Sequence, residues 1–107
     1  MKSLLRPGAD TRGLAGADFE RIEGDVSDQT RLAEGMRGCD WCFHVAASYH
    51  LWLRDYRPMY ATNVAGTANV LQAAADAGCQ RIVYTSTVGC VGLNGTTPAD
   101  ETALALR

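Results

Sequence analysis

At 107 residues, 47% of them apolar and 21% charged, the chain has the composition of one globular domain with room for a single core. A net charge of -2 offers no footprint for nucleic acid or an acidic membrane, and no apolar run nears the ~20 residues that span a bilayer. The opening MKSLLRPGAD holds too short an apolar piece for a signal peptide, so a cytoplasmic location is expected.

Met1–Arg6 reads as a short strand closed by Pro7-Gly8. Arg6 lies just past it, where a dinucleotide fold can place a cation against the 2′-phosphate of NADP; a solvated strand-end arginine is the plainer reading. The glycines around Gly13-Leu14-Ala15-Gly16 do not complete a phosphate loop and read as a connection. Asp18–Gly24 carries a weak strand alternation. Asp28 or Ser27 then caps a helix running to about Arg37, with Leu32, Ala33 and Met36 on one face and Gly38 as its stop. Asp25 serves either as a turn residue or as an acceptor for an adenine amino group lying across the strand end.

Trp41–Ala47 is the most continuously apolar run, which predicts a central parallel strand covered on both faces. It ends in Ala46 and Ala47, small enough to admit a flat ring, a ribose or a helix. His44 within it reads as a satisfied core histidine. Ser48–Arg57 reads as a loop whose Tyr49, His50 and Trp52 either shape a pocket or cover the core. From Pro58 a long helix is predicted to Gly78, carried by Tyr60, Val64, Ala68, Leu71 and Ala75, with Gly66 marking a close backbone approach to the sheet. Ile82-Val83-Tyr84 is a buried strand by composition, and it turns abruptly into Thr85, Ser86 and Thr87. Hydroxyls at the carboxyl end of a buried strand are where an open α/β sheet keeps its ligand chemistry.

Cys39 and Cys42 match Cys-x-x-Cys, but the order is helix, pair, strand, the reverse of a redox dithiol at a helix N-terminus. Cys79 and Cys90 form no second close pair, so no metal site is expected and the cysteines read as packing residues. Strands alternating with helices predict an α/β fold with a parallel sheet and right-handed crossovers.

Gly24-Asp25-Val26-Ser27-Asp28, His44-Val45-Ala46-Ala47, Asn63-Val64-Ala65-Gly66-Thr67 and Tyr84-Thr85-Ser86-Thr87 occur in the order found in extended short-chain dehydrogenases/reductases. The chain resembles the NAD-dependent epimerase/dehydratase group. Arg6-Pro7 and Tyr49-x-Leu51-Trp52 are most similar to its dihydroflavonol-reductase-like branch, including hopanoid-associated sugar epimerases. The resemblance implies NADP, or NAD, as cofactor. It implies that Arg6 favours NADP, that Asp25 and Val26 line the adenine pocket, and that Val45, Ala46 and Ala47 follow the ribose and phosphates. Thr85 would border the nicotinamide, Asn63 would help order the site, and Thr87 would polarise the substrate carbonyl or alcohol.

The family opens on a strand and G-x-x-G-x-x-G, and Met1 here begins a strand that resembles the family's second. No tyrosine has a lysine four places on: Tyr49, Tyr56, Tyr60 and Tyr84 are followed there by Leu53, Tyr60, Val64 and Val88, and Lys2 is the sole lysine. A tyrosine of pKa near ~10 is a poor base at neutral pH without a neighbouring cation. The expected fold is therefore an incomplete Rossmann-like parallel sheet lacking the first strand and glycine-rich loop, with residues 1–107 forming a partial NAD(P)-binding domain. The expected function is that of a fragment of an epimerase/dehydratase or ketone reductase acting by hydride transfer on a small molecule, inactive alone. A non-catalytic nucleotide- or partner-binding module stands as the alternative. Met1–Arg6 is expected to lack a proper neighbour and Trp41–Ala47 to expose an edge, leaving a chain that is poorly stable or self-associates.

Overall fold

The computed structural model describes residues 1–93 and 95–103. In chain order these form β1 (Lys2–Leu5), β2 (Glu20–Glu23), α1 (Gln29–Met36) and β3 (Trp41–His44). A long helix follows, in three parts: α2 (Arg57–Tyr60), a π-helical turn (Ala61–Gly66) and α3 (Thr67–Asp76). It leads to β4 (Arg81–Tyr84), after which the chain makes a short 3-10 turn at Val88–Cys90.

All strand pairing is parallel, but it makes two two-stranded sheets, β1 with β2 and β3 with β4. The expectation that the first strand would lack a neighbour is thus corrected, since Leu4 stands opposite Ile22. Helix α1 leaves β2, passes over β1 and delivers the chain to β3, while α3 packs on β3 and against α1. One helical layer therefore spans both pairs, with β1 and β3 as the inner strands. The carbonyls of Met1 and Leu5 accept from Glu20 and Gly24, and those of Asp40 and His44 accept from Gln80 and Thr85. In a parallel ladder alternate residues bond to the same neighbour. Lys2 and Leu4 in β1, and Trp41 and Phe43 in β3, therefore turn their backbone groups to an edge with no partner strand among the described residues.

The local signals behave as chemistry dictates. Asp28 caps α1 by accepting the Arg31 backbone N–H at 3.0 Å, and Gly38 and Gly78 leave their helices at φ of 69° and 74°. Pro58 sits in the first turn of the long helix, where its missing N–H costs nothing.

The core is small: Val26, Leu32, Cys42, Val70 and Ala74, with Leu4, Met36, Ala73 and Cys79 packed at its margin. Three expectations about it are corrected, the first being that Ile82-Val83-Tyr84 is buried: every residue of β4 is exposed. β3 ends at His44 and is covered on one face only, with Cys42 and His44 buried toward α3 while Trp41 and Phe43 remain 51% and 64% exposed. On that open face the two rings stack at 6.0 Å and the Arg81 guanidinium lies 5.5 Å from the Trp41 ring. The long helix does not bury the stripe Tyr60, Val64, Ala68, Leu71 and Ala75, all of which are exposed. It buries Gly66, Val70 and Ala74 instead.

The reason lies at Gly66. A Cβ there would come within 2.5 Å of Val26 Cγ2 and 3.2 Å of Val26 Cβ, in the connection between β2 and α1. The close approach foreseen for Gly66 is real, but Val26 rather than the sheet is what it meets. Gly66, Val70 and Ala74 therefore face inward at helical spacing, because only a residue without a side chain can sit against Val26. Gly66→Ala is expected to destabilise the fold by about 1–3 kcal/mol through overpacking. Adding Val26→Ala should restore part of that loss, as read by urea melts of the single and double variants.

Candidate functional site

Because the strands are parallel within each pair and the crossovers run through one helical layer, the strand carboxyl ends form a common rim. Arg6 follows β1, Asp25 and Val26 follow β2, Val45, Ala46 and Ala47 follow β3, and Thr85 and Thr87 follow β4. The structure thus brings the sequence-derived site residues to one end of the fold. All are exposed there except Asp25, which is half-buried, and Val26, which is buried beneath the rim.

Asp25 is held by its own turn. Its Oδ1 accepts the Ser27 backbone N–H at 3.0 Å and the Ser27 hydroxyl at 2.9 Å. The Ser27 backbone N–H is the main cause holding this carboxyl below the ordinary carboxylate range; partial burial opposes it, and the Ser27 hydroxyl and the Arg6 charge assist. Turn residue and rim acceptor are therefore compatible roles, since both turn bonds fall on a single oxygen. Arg6, at the end of β1, lies near enough for its charge to act on this carboxylate at the end of β2.

The loop after β3 is fixed from the long helix. Asn63 Oδ1 accepts the Ser48 backbone N–H at 2.7 Å, and its Nδ2 donates to the Ser48 carbonyl at 2.8 Å. One amide thus satisfies both backbone groups of the residue following Ala46 and Ala47. The Thr67 hydroxyl donates to the Asn63 carbonyl at 2.8 Å and lies 2.9 Å from His44 Nε2. With its proton committed to Asn63, the hydroxyl accepts from His44 Nε2–H. His44 is 3% exposed and is a satisfied core histidine, not a reacting group. On the other side of the rim, Asn69 Nδ2 donates to the Val26 carbonyl at 3.1 Å, and Gln29 Nε2 donates to Asn69 Oδ1 at 3.0 Å.

Beyond β4, the Thr87 Oγ1 accepts the Gly89 backbone N–H at 3.2 Å and caps the 3-10 turn. Thr85 donates its backbone N–H to the His44 carbonyl at 3.0 Å, which carries the β3–β4 ladder up to the rim. Tyr49 and Trp52 are 78% and 73% exposed, so they do not cover the core. A groove of about 550 Å³ between α1 and α3, lined by Gln29, Arg37, Asn69 and Asp76, includes no rim residue.

Thr67 and Asn69 are positioning residues that residue types alone do not reveal. The only signal for Thr67 is spacing: Asn63, Thr67 and Val70 share one face of the helix.

The pattern that defines the 3-beta hydroxysteroid dehydrogenase/isomerase family matches residues 10–102. A Synechocystis protein provisionally named dihydroflavonol 4-reductase is 39% identical over 95 residues, covering 89% of this chain and 27% of that protein. The crystal structure of gox2253 superposes with a TM-score of 0.86 at 41% identity, covering 96% of this chain and 32% of the other. The dTDP-glucose 4,6-dehydratase DesIV of Streptomyces venezuelae, solved as a double mutant with NAD and DAU bound, matches with a TM-score of 0.65 at 34% identity. That match covers 78% of this chain and 27% of DesIV. The chain thus spans about three tenths of the relatives it matches.

Burial lowers the His44 pKa from its ordinary 6.5, so the folded chain favours the neutral ring. As pH falls, the unfolded chain takes up that proton first. Stability should be full above about 6.5 and fall as pH drops through the lower folded pKa. Urea midpoints measured across this range should show the decline, and His44→Gln should flatten it. Thr67→Val, which leaves His44 Nε2–H without its acceptor, should cost about 1–3 kcal/mol at neutral pH.

Proposed function

This chain belongs to the 3-beta hydroxysteroid dehydrogenase/isomerase family, and from that premise we propose that it supplies the adenosine side and part of the catalytic rim of an NAD(P)-dependent reductase or epimerase. Residues 1–107 are, in this reading, a partial dinucleotide-binding domain whose parent takes a small-molecule alcohol or ketone. The observation that carries the reading is the single rim on which Arg6, Asp25, the small residues Ala46 and Ala47, and Thr87 are gathered.

The residues present suit a dinucleotide. Arg6 offers an exposed cation to a 2′-phosphate, which makes NADP the favoured cofactor. Asp25 Oδ2, which takes no part in the Ser27 turn, serves the adenine amino group, and buried Val26 closes the floor beneath it. Val45, Ala46 and Ala47 leave the backbone open to ribose and phosphate, and Asn63 holds that loop by gripping Ser48. Thr85 borders the nicotinamide position, and the Thr87 hydroxyl donates to the substrate oxygen while Oγ1 stays anchored to Gly89. The cofactor supplies hydride exchange at carbon. The chain's own part is to orient the two reactants and to polarise the oxygen.

These residues alone do not turn over, in this account, because no tyrosine here has a lysine beside it to lower its pKa. A cytoplasmic setting suits the free thiols of the chain.

Fluorescence titration of the purified chain with NADPH is expected to show no saturation up to roughly millimolar ligand, a binding free energy weaker than about 4 kcal/mol. Fusion to a preceding strand and G-x-x-G-x-x-G loop from a family member should bring binding into the micromolar range. In that fusion Arg6→Asp should reverse the preference from NADPH to NADH. Tight, saturable NADPH binding by the 107 residues alone would instead favour the non-catalytic nucleotide-binding module.

A further inference from the structure

Cys39 and Cys79 occupy equivalent places in two copies of one local design. Helix α1 ends at Met36 and α3 at Asp76. Each is followed by one residue, a glycine of positive φ, the cysteine, a polar residue and the first residue of a strand, Trp41 or Arg81. Trp41 pairs with Arg81 in parallel register, so two steps back along both chains Cys39 stands beside Cys79. The Gln80 backbone N–H donates to the Asp40 carbonyl at 2.7 Å, which carries the ladder down to that level. The Cys79 sulfur lies 3.2 Å from the Cys39 carbonyl oxygen. Neighbouring strands run about 4.8 Å apart, inside the ~4.4–6.8 Å Cα separation that a disulfide spans.

Both thiols are free and half-exposed, within reach of a solute, whereas Cys42 is buried at 5% exposure. Burial pushes the Cys42 thiol up, and its neighbours Cys79 and Cys39 push it further. Cys79 is raised too, first by burial and then by Cys39 and Asp40. A thiol so raised suits the second, intramolecular step, in which Cys79 need only reach a neighbouring sulfur. The Cys39 sulfur rests 3.5 Å from the Gly35 carbonyl of its own helix, and bond formation asks it to swing from there toward Cys79.

We propose that Cys39 and Cys79 form a reversible disulfide on meeting a low-molecular-weight disulfide such as oxidised glutathione. The Cys39 thiolate attacks one sulfur of the small disulfide, which releases one small thiolate and leaves a mixed disulfide on Cys39. Cys79 gives its proton to solvent and attacks the Cys39 sulfur, and the second small thiolate leaves. The two protein thiols lose two electrons and two protons, and the small disulfide gains them as two thiols. The new bond ties the α1–β3 turn to the α3–β4 turn, at the end of the strands away from the rim. It cross-links the unfolded chain across a long loop and so favours the folded one.

The test equilibrates the chain in graded mixtures of reduced and oxidised glutathione, blocks remaining thiols, and cleaves before aspartates and after arginines, so that cuts at Asp40, Arg54, Asp76 and Arg81 leave each cysteine on its own peptide. The expected product links the Cys39 and Cys79 peptides, with a melting temperature several degrees above the reduced chain. The variant Cys79→Ser should stop at the glutathione adduct of Cys39. A chain carrying Cys42→Ala and Cys90→Ser should keep the linkage, and in the chain with all four cysteines urea should abolish its preference over other pairings. Linkage through Cys42 or Cys90 in the native chain, or adducts without any internal bond, would overturn the proposal.

Discussion

Val26 seated on Gly66 is the contact on which the rest of this structure depends. Two strand pairs share no backbone ladder among the described residues, so they are held in relation by what passes between α1 and the long helix. Val26 stands at the head of α1, and the absent side chain of Gly66 lets the helix settle onto it. Asn69 then reaches the Val26 carbonyl and Gln29 reaches Asn69, satisfying polar groups that the close approach would otherwise strand. The same seat sets the rim. Val26 follows Asp25, and Gly66 lies one turn from Asn63, so this contact, with the Asn69 and Gln29 hydrogen bonds beside it, links the Asp25 turn to the clamped loop at Ser48.

Around that joint the molecule carries more surface than a complete domain of its size. Its accessible area is 8591 Å², where a folded chain of this mass shows about 5,800 Å². Its radius of gyration is 16.2 Å, against about 13 Å for a finished domain. Many exposed side chains are apolar, among them the Trp41 and Phe43 face, β4, the loop residues Tyr49, Leu51 and Trp52, and the outer stripe of the long helix. The chain spans about three tenths of the relatives named above. A parallel pair with one bare face is unusual, because parallel strands are normally covered on both sides.

Much of the fold was legible because its signals are local. Asp28 as a cap, Gly38 and Gly78 as stops, Pro58 as a start and Ile82-Val83-Tyr84 as a strand each act within a few residues. The rim was legible because an alternating strand–helix order forces carboxyl ends to one side. What the sequence concealed was which face of an element is inside. The long helix is apolar on two sides, and periodicity alone selected the larger residues. The tertiary contact of Gly66 with Val26 turned the face of Gly66, Val70 and Ala74 inward instead. For Trp41–Ala47 a continuous apolar run does not say whether both covering layers are at hand. Thr67 and Asn69 escaped for a related reason: their partners, His44 and Val26, are distant in sequence.

The central claim is that β1 and β3 are inner strands of one interrupted sheet, each with an edge that no strand among the described residues pairs, where a further parallel strand would fit. Amide hydrogen exchange of the 107-residue chain tests it residue by residue. The Ser3, Leu5, Cys42 and His44 amides, turned toward β2 and β4, should be protected. Those of Lys2, Leu4, Trp41 and Phe43 should exchange at nearly the rate of free peptide. Equal protection of Trp41 and Phe43 with Cys42 and His44 would mean that the edge is already paired, and the interrupted sheet would have to be abandoned.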